Sequence, residues 1–138
     1  LLGGCVCCSL AGEFEEAVKE IIRDYKPEII IVETTGVAES DALVYDISEN
    51  LKNVKLDSVI TIADADAVAR FPSIGRTAIT QLEAADIILI NKIDLINKNQ
   101  LKEIKKTLKK YNAKAPFIEA KQCNVDITYY LTSKQKEK

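Results

Sequence analysis

The sequence predicts an α/β domain, a parallel sheet flanked by helices, and three observations carry that prediction. Short apolar runs alternate with helical periods from end to end, the arrangement that builds a parallel sheet. Two of the runs, Ile29 to Val32 and Ile87 to Ile90, are unbroken, as expected for strands covered on both faces. Each of those two is followed at once by a polar loop, at the strand end where open α/β sheets bind ligands.

The elements follow in order. Phe14, Ala17, Val18, Ile21, Ile22 and Tyr25 recur at helical spacing, with Ser9 as the candidate N-cap and Pro27 as the stop. Ile29 to Val32 reads as a short buried strand. Leu43, Val44, Ile47 and Leu51 mark a second helix, followed by a strand around Val59 to Ala63. Ile79, Leu82 and Ala85 give a third helix that feeds directly into a strand over 86–91. Leu101, Ile104, Leu108 and Tyr111 give a fourth, and Asn97 and Gln100 are spaced as its capping box. Pro116 to Ala120 is a last short strand, and Val125 to Leu131 a final helix.

At 138 residues the chain is one domain at most, and its 47% apolar and 29% charged residues are ordinary for a globular protein. A net charge of −2 argues against nucleic-acid or anionic-membrane binding, which needs a basic face. No apolar run approaches the roughly 18 residues of a membrane span. There is no Met, not even at position 1, so the chain is expected not to begin where translation begins. There is also no His, which removes the usual general base and the commonest metal ligand. Metal chemistry is left to Cys and carboxylates. Three of the four cysteines, Cys5, Cys7 and Cys8, lie too close together for an ordinary disulfide framework, and no signal peptide is expected ahead of them. The expected compartment is the reducing cytoplasm.

Three motifs carry chemistry. Asn91-Lys92-Ile93-Asp94 follows the Ile87–Ile90 run. An Asp there accepts two hydrogen bonds from the ring N–H and exocyclic amine of guanine. Adenine lacks that donor pair, so one carboxylate selects GTP over ATP. The Lys92 stem can lie along the base while Asn91 ties the loop together. The plainer reading is an Asx turn after a strand. Glu33-Thr34-Thr35-Gly36 repeats the strand-then-loop logic: Glu33 is placed to hold a Mg²⁺-bound water or an attacking one, and Gly36 to bring a backbone N–H to a γ-phosphate. A Thr- and Gly-rich turn into the next helix is the alternative.

The third motif is Gly3-Gly4-Cys5-Val6-Cys7-Cys8-Ser9. Thiolates are soft ligands suited to Zn²⁺ or Cu(I), and this spacing can place three sulfurs around one ion. A helix starting near Ser9 would favour the thiolate form of Cys7 or Cys8 through its dipole. Buried apolar cysteines, a redox-active trio and a lipoprotein cleavage box are the alternatives, the last without an apolar segment ahead of it. Cys123 reads as an ordinary buried or half-buried residue.

Taken together and in this order, Gly-Gly-Cys-Val-Cys-Cys-Ser-Leu, Glu-Thr-Thr-Gly and Asn-Lys-Ile-Asp-Leu resemble the CobW-type GTPases. These stand with HypB, UreG and the methylmalonyl-mutase chaperones among the P-loop metallochaperone GTPases. The resemblance runs from Leu1 to about residue 131 and includes Thr61-Ile62-Ala63-Asp64-Ala65 and Gln81-Leu82-Glu83-Ala84-Ala85-Asp86. It implies a P-loop NTPase-like three-layer sandwich and a GTP/GDP-binding metallochaperone that gates metal release to a client metalloprotein. The implied ligands of the cargo, Zn²⁺ or Co²⁺, are Cys5, Cys7 and Cys8. The implied Mg²⁺/γ-phosphate switch is Glu33 with Gly36, and the implied guanine reader is Asn91, Lys92 and Asp94. Ala120-Lys121 falls where such GTPases place a supporting base loop, and homodimers across the nucleotide face occur by analogy.

One departure is large. None of the five glycines precedes a Lys, so the Gly-x-x-x-x-Gly-Lys-Ser/Thr loop and its strand are not in these residues. The sheet is therefore expected to be incomplete at its N-terminal side, next to Ile29–Val32. Residues 1–138 are expected to be a truncated GTPase-type domain, without the C-terminal CobW domain and inactive alone. The rival readings are a zinc-binding module with no GTPase activity of its own and a thiol redox protein using Cys7 and Cys8, whose adjacency would strain a disulfide.

Overall fold

The computed structural model describes residues 11–35 and 40–126. Ser9, Gly36 and the cysteine run therefore lie outside the described residues, as do residues 127–131 of the helix expected over Val125 to Leu131, whose first two residues, Val125 and Asp126, are not helical. The chain divides into two compact units, Leu1–Leu56 and Asp57–Lys138.

The first unit holds α1 (Ala11–Tyr25) and α2 (Ser40–Asn50). Phe14 and Val18, four apart on α1, bury against Leu43 and Ile47, four apart on α2, with Leu51 just beyond. Each such side chain contributes about 1.5–3 kcal/mol on burial, which is what holds two short helices together. Ion pairs of Lys19 with Glu15 and Glu16 lie on the outer face and add little.

Ile29 to Val32 is not a strand, contrary to expectation. Ile30 packs on the helix pair, while Ile29 is 68% and Ile31 86% exposed. A strand exists only through a ladder, and no described residue of this unit supplies one.

Among the described residues the second unit contains a three-stranded parallel sheet in the order β1-β2-β3, with helices flanking it, the α/β architecture expected. The strands are β1 (Ile60–Asp64), β2 (Ile87–Asn91) and β3 (Phe117–Glu119). Ile60 pairs with Ile87 and Asp64 with Asn91, while Ile88 and Ile90 pair with Phe117 and Glu119. β2 is central, and Ile87 through Ile90 are all buried, as the unbroken run requires. On the edge strand β1 the pattern alternates, with Ala63 inside and Ile60 and Ile62 outside.

Between β1 and β2 run α3 (Ala65–Arg70), which no apolar periodicity announced, and α4 (Arg76–Ala84). Between β2 and β3 run a 3₁₀ turn (Ile93–Leu95) and α5 (Lys98–Lys109), whose Asn97 and Gln100 form the expected capping box. Ile104 and Leu108 of α5 join Ile88, Ile90, Leu82 and Ala65 in one core.

Polar side chains fix the register. The Asp86 carboxylate accepts the Val59 N–H at 2.9 Å, while the Asp86 N–H bonds Val59 O at 2.8 Å. Asn112 donates to the carbonyls of Leu82 and Ala85 and accepts from Lys114 and Ala115, which fastens the end of α4 to the approach to β3. No helix among the described residues is long and apolar enough to cross a membrane.

Candidate functional site

All three strands point the same way, so their carboxyl ends gather the following loops on one edge of the sheet. Asp64 ends β1, Asn91 ends β2, and Ala120 follows β3. Lys92 turns the chain out of β2 in a left-handed conformation, φ 61° and ψ 33°. An L-residue there costs roughly 1–2 kcal/mol, so something nearby must hold it.

Two contacts do. Leu95 N–H bonds the Lys92 carbonyl at 3.1 Å, closing the 3₁₀ turn. The Lys92 ammonium reaches back to β1 and meets Asp64 Oδ2 at 2.6 Å. The other oxygen of Asp64 accepts the Ala67 N–H at 3.1 Å and caps α3. The Lys92 ammonium, chiefly through its hydrogen bond, pulls the Asp64 carboxyl below the usual carboxylate range, and the same bond raises the Lys92 amine. Both groups are partly exposed, so their pairing is screened by water.

Asn91 links two loops. Its side-chain oxygen accepts the backbone N–H of Cys123 at 2.9 Å. Ile93 N–H bonds Ala120 O at 3.3 Å, and Ala120 N–H bonds Ile90 O at 2.8 Å. The loop after β3 is thereby fastened beside the loop after β2. Its turn is hydrogen-bonded from Asn124 N–H to Lys121 O at 3.0 Å, with positive φ at Gln122 (53°) and Cys123 (52°), the signature of a type I′ turn.

Asp94 stands exposed on the 3₁₀ turn, and among the described residues no hydrogen bond or ion pair engages its carboxylate. Lys121 is exposed on the neighbouring turn. Asn91, Lys92, Asp94 and Lys121 are thus brought together on one edge of the second unit, with a free carboxylate facing solvent. That arrangement can accept a paired N–H donor such as the guanine edge.

The remaining expected residues fall elsewhere. Glu33 is exposed in irregular backbone of the first unit, with Thr34 half-buried beside it. Gly36, Cys5, Cys7 and Cys8 lie outside the described residues. Among the described residues no group of three or more His, Cys, Asp or Glu side chains can hold a metal ion. Cys123 corrects an expectation: it is an exposed free thiol, because its left-handed turn projects from the sheet edge instead of packing into it. Sequence reasoning assigned no role to Asp64. The available signal was an Asp directly after a strand and at the start of an Ala-rich stretch, the position of an N-cap.

Residues 1–119 match the protein family described as CobW/HypB/UreG, nucleotide-binding domain. A zinc chaperone CobW from Sinorhizobium sp is 30% identical over 151 aligned positions, covering 91% of this chain and 43% of that protein. A zinc-regulated GTPase metalloprotein activator 1 from Schizosaccharomyces pombe is 30% identical over 131 positions, covering 91% of this chain and 32% of its own length. A zinc chaperone YjiA from Escherichia coli is 24% identical, covering 92% and 42%. The chain thus spans less than half the length of these relatives. No solved structure matches it at a significant level.

Proposed function

The chain belongs to the CobW/HypB/UreG nucleotide-binding-domain family, and from that membership we propose that it is the guanine-nucleotide-binding part of a GTP-hydrolysing metallochaperone. In this reading residues 1–138 act as one GTPase-type domain that carries zinc, with cobalt as the second candidate cargo. The protein passes that metal to a client metalloprotein under nucleotide control. The printed descriptions of the relatives, zinc chaperone and zinc-regulated GTPase metalloprotein activator, support the choice of zinc and of a client.

The observation that carries the nucleotide half is the free Asp94 carboxylate, held on a loop that Asn91 and Lys92 tie to its neighbours. Asp94 reads the guanine edge, the Lys92 stem flanks the base, and Lys121 on the adjoining turn supports it. Glu33 with Gly36 serves the Mg²⁺ and γ-phosphate side. A lone carboxylate suits Mg²⁺, which keeps several waters and takes its other ligands from phosphate. Cys5, Cys7 and Cys8 take the cargo metal as thiolates, a donor set that selects soft ions and persists in a reducing compartment such as the cytoplasm.

The test is a titration of the chain with fluorescent GDP and Mg²⁺, followed by competition with unlabelled nucleotides. Displacement by GDP and GTP but not by ADP is the expected result. Absence of binding, or equal displacement by ADP, would remove the nucleotide half of the proposal.

A further inference from the structure

We infer that Asp64 is a positioning residue for the nucleobase: its carboxylate anchors the Lys92 ammonium so that the methylene stem of the lysine forms a fixed shelf for the base. The inference rests on the guanine reading of the 91–94 loop and adds a residue that the reading leaves unused.

The geometry is specific. Asp64 and Asn91 are register partners at the ends of adjacent strands, and Lys92 is the next residue after Asn91. With its Nζ 2.6 Å from Asp64 Oδ2, the Lys92 stem runs from the end of β2 toward the end of β1. It therefore bridges the carboxyl edge of the sheet, across the roughly 4.8 Å that separates paired strands. Left untethered, a lysine on four rotatable bonds sweeps through many rotamers, and ordering it on ligand binding would weaken that binding. Asp64 is itself held, since Oδ1 takes the Ala67 N–H and leaves Oδ2 aimed at the lysine. The nearby Asp66 is engaged by Arg70 at 2.9 Å, so the two carboxylates have separate partners. The left-handed Lys92 backbone is a second sign, because unfavourable conformations persist where the surroundings over-determine them.

A plain helix-cap role makes the opposite predictions, which lets substitutions separate the two. Ser and Asn are good N-caps but carry no charge for Lys92, whereas Glu keeps the charge and is a poor cap. The experiment measures fluorescent-GDP affinity for the wild-type chain and for Asp64→Ser, Asp64→Asn and Asp64→Glu, each also in a Lys92→Met background. If Asp64 positions Lys92, Ser and Asn weaken binding by about threefold to fivefold, the range of a partly exposed ion pair. Glu stays near wild type, and none of the changes has a further effect once Lys92 is Met. Retained affinity with Ser and Asn, and loss with Glu, would overturn the inference and leave Asp64 a cap. No GDP binding by the wild-type chain would instead overturn the guanine reading, and the inference with it.

Discussion

The side-chain oxygen of Asn91 accepts the backbone N–H of Cys123 at 2.9 Å, joining the loop after β2 to the turn after β3. The two residues are far apart in sequence and meet only because their strands are neighbours in a parallel sheet. Through this bond a turn of two left-handed residues becomes part of the same edge as Asp94. In the proposed reading Asp94 needs a loop that is held still, and the Asn91 bond is one restraint on it.

Replacing Asn91 with Ala leaves the Cys123 N–H without that acceptor. The expected cost is about 1 kcal/mol of local stability. Hydrogen exchange at the Cys123 amide should accelerate, and GDP should dissociate faster, with little change at the distant Asn97 capping box.

The Asp64–Lys92 pair should titrate in two windows. Asp64 has a depressed folded pKa, so its contribution is fully present above its unfolded value near 3.8 and is lost as pH falls through the folded value. Lys92 has a raised folded pKa, so its contribution is fully present below 10.5 and is lost as pH rises through the folded value. The stability of Asp64→Asn should therefore vary less with pH than wild type at both extremes and equally between them, as urea unfolding at several pH values would show.

Truncation of Ile88 to Ala should cost about 2–5 kcal/mol, because the side chain is fully enclosed in the central strand. The same change at Ile62, 58% exposed on the edge strand, should stay within about 0.5 kcal/mol. Thermal unfolding of the two variants checks the contrast.

Metal content divides the cysteines. Protein purified without chelator should lose its zinc when Cys5, Cys7 and Cys8 are changed to Ser together, and keep it when the exposed Cys123 alone is changed. Retention of stoichiometric metal by the triple variant would remove the ligand assignment.

Local signals carried much of this structure. The four-residue run Ile87–Ile90, followed by Asn91-Lys92-Ile93-Asp94, announced a doubly covered strand and its loop, because burial on both faces leaves no polar alternation. Asn97 and Gln100 announced a helix start for an equally local reason. Ile29–Val32 misled because hydrophobicity specifies burial, whereas a strand also needs a partner that the run itself does not encode. Cys123 misled in the opposite sense: its turn conformation is set by the bonds of Lys121, Asn124 and Asn91, not by its own preference for burial. The left-handed Lys92 was equally illegible, since Lys has no tendency toward that region and its partners there are the Leu95 N–H and, from another strand, Asp64.

The guanine reading is tested most directly by the base preference of Asp94→Asn. Wild type should bind GDP in preference to XDP, because the carboxylate accepts from the two N–H donors of guanine. The variant, which presents an amide donor in place of one acceptor, should lose GDP and gain XDP. An unchanged preference for GDP in a folded Asp94→Asn protein would mean that Asp94 does not read the base, and would contradict the account at its centre.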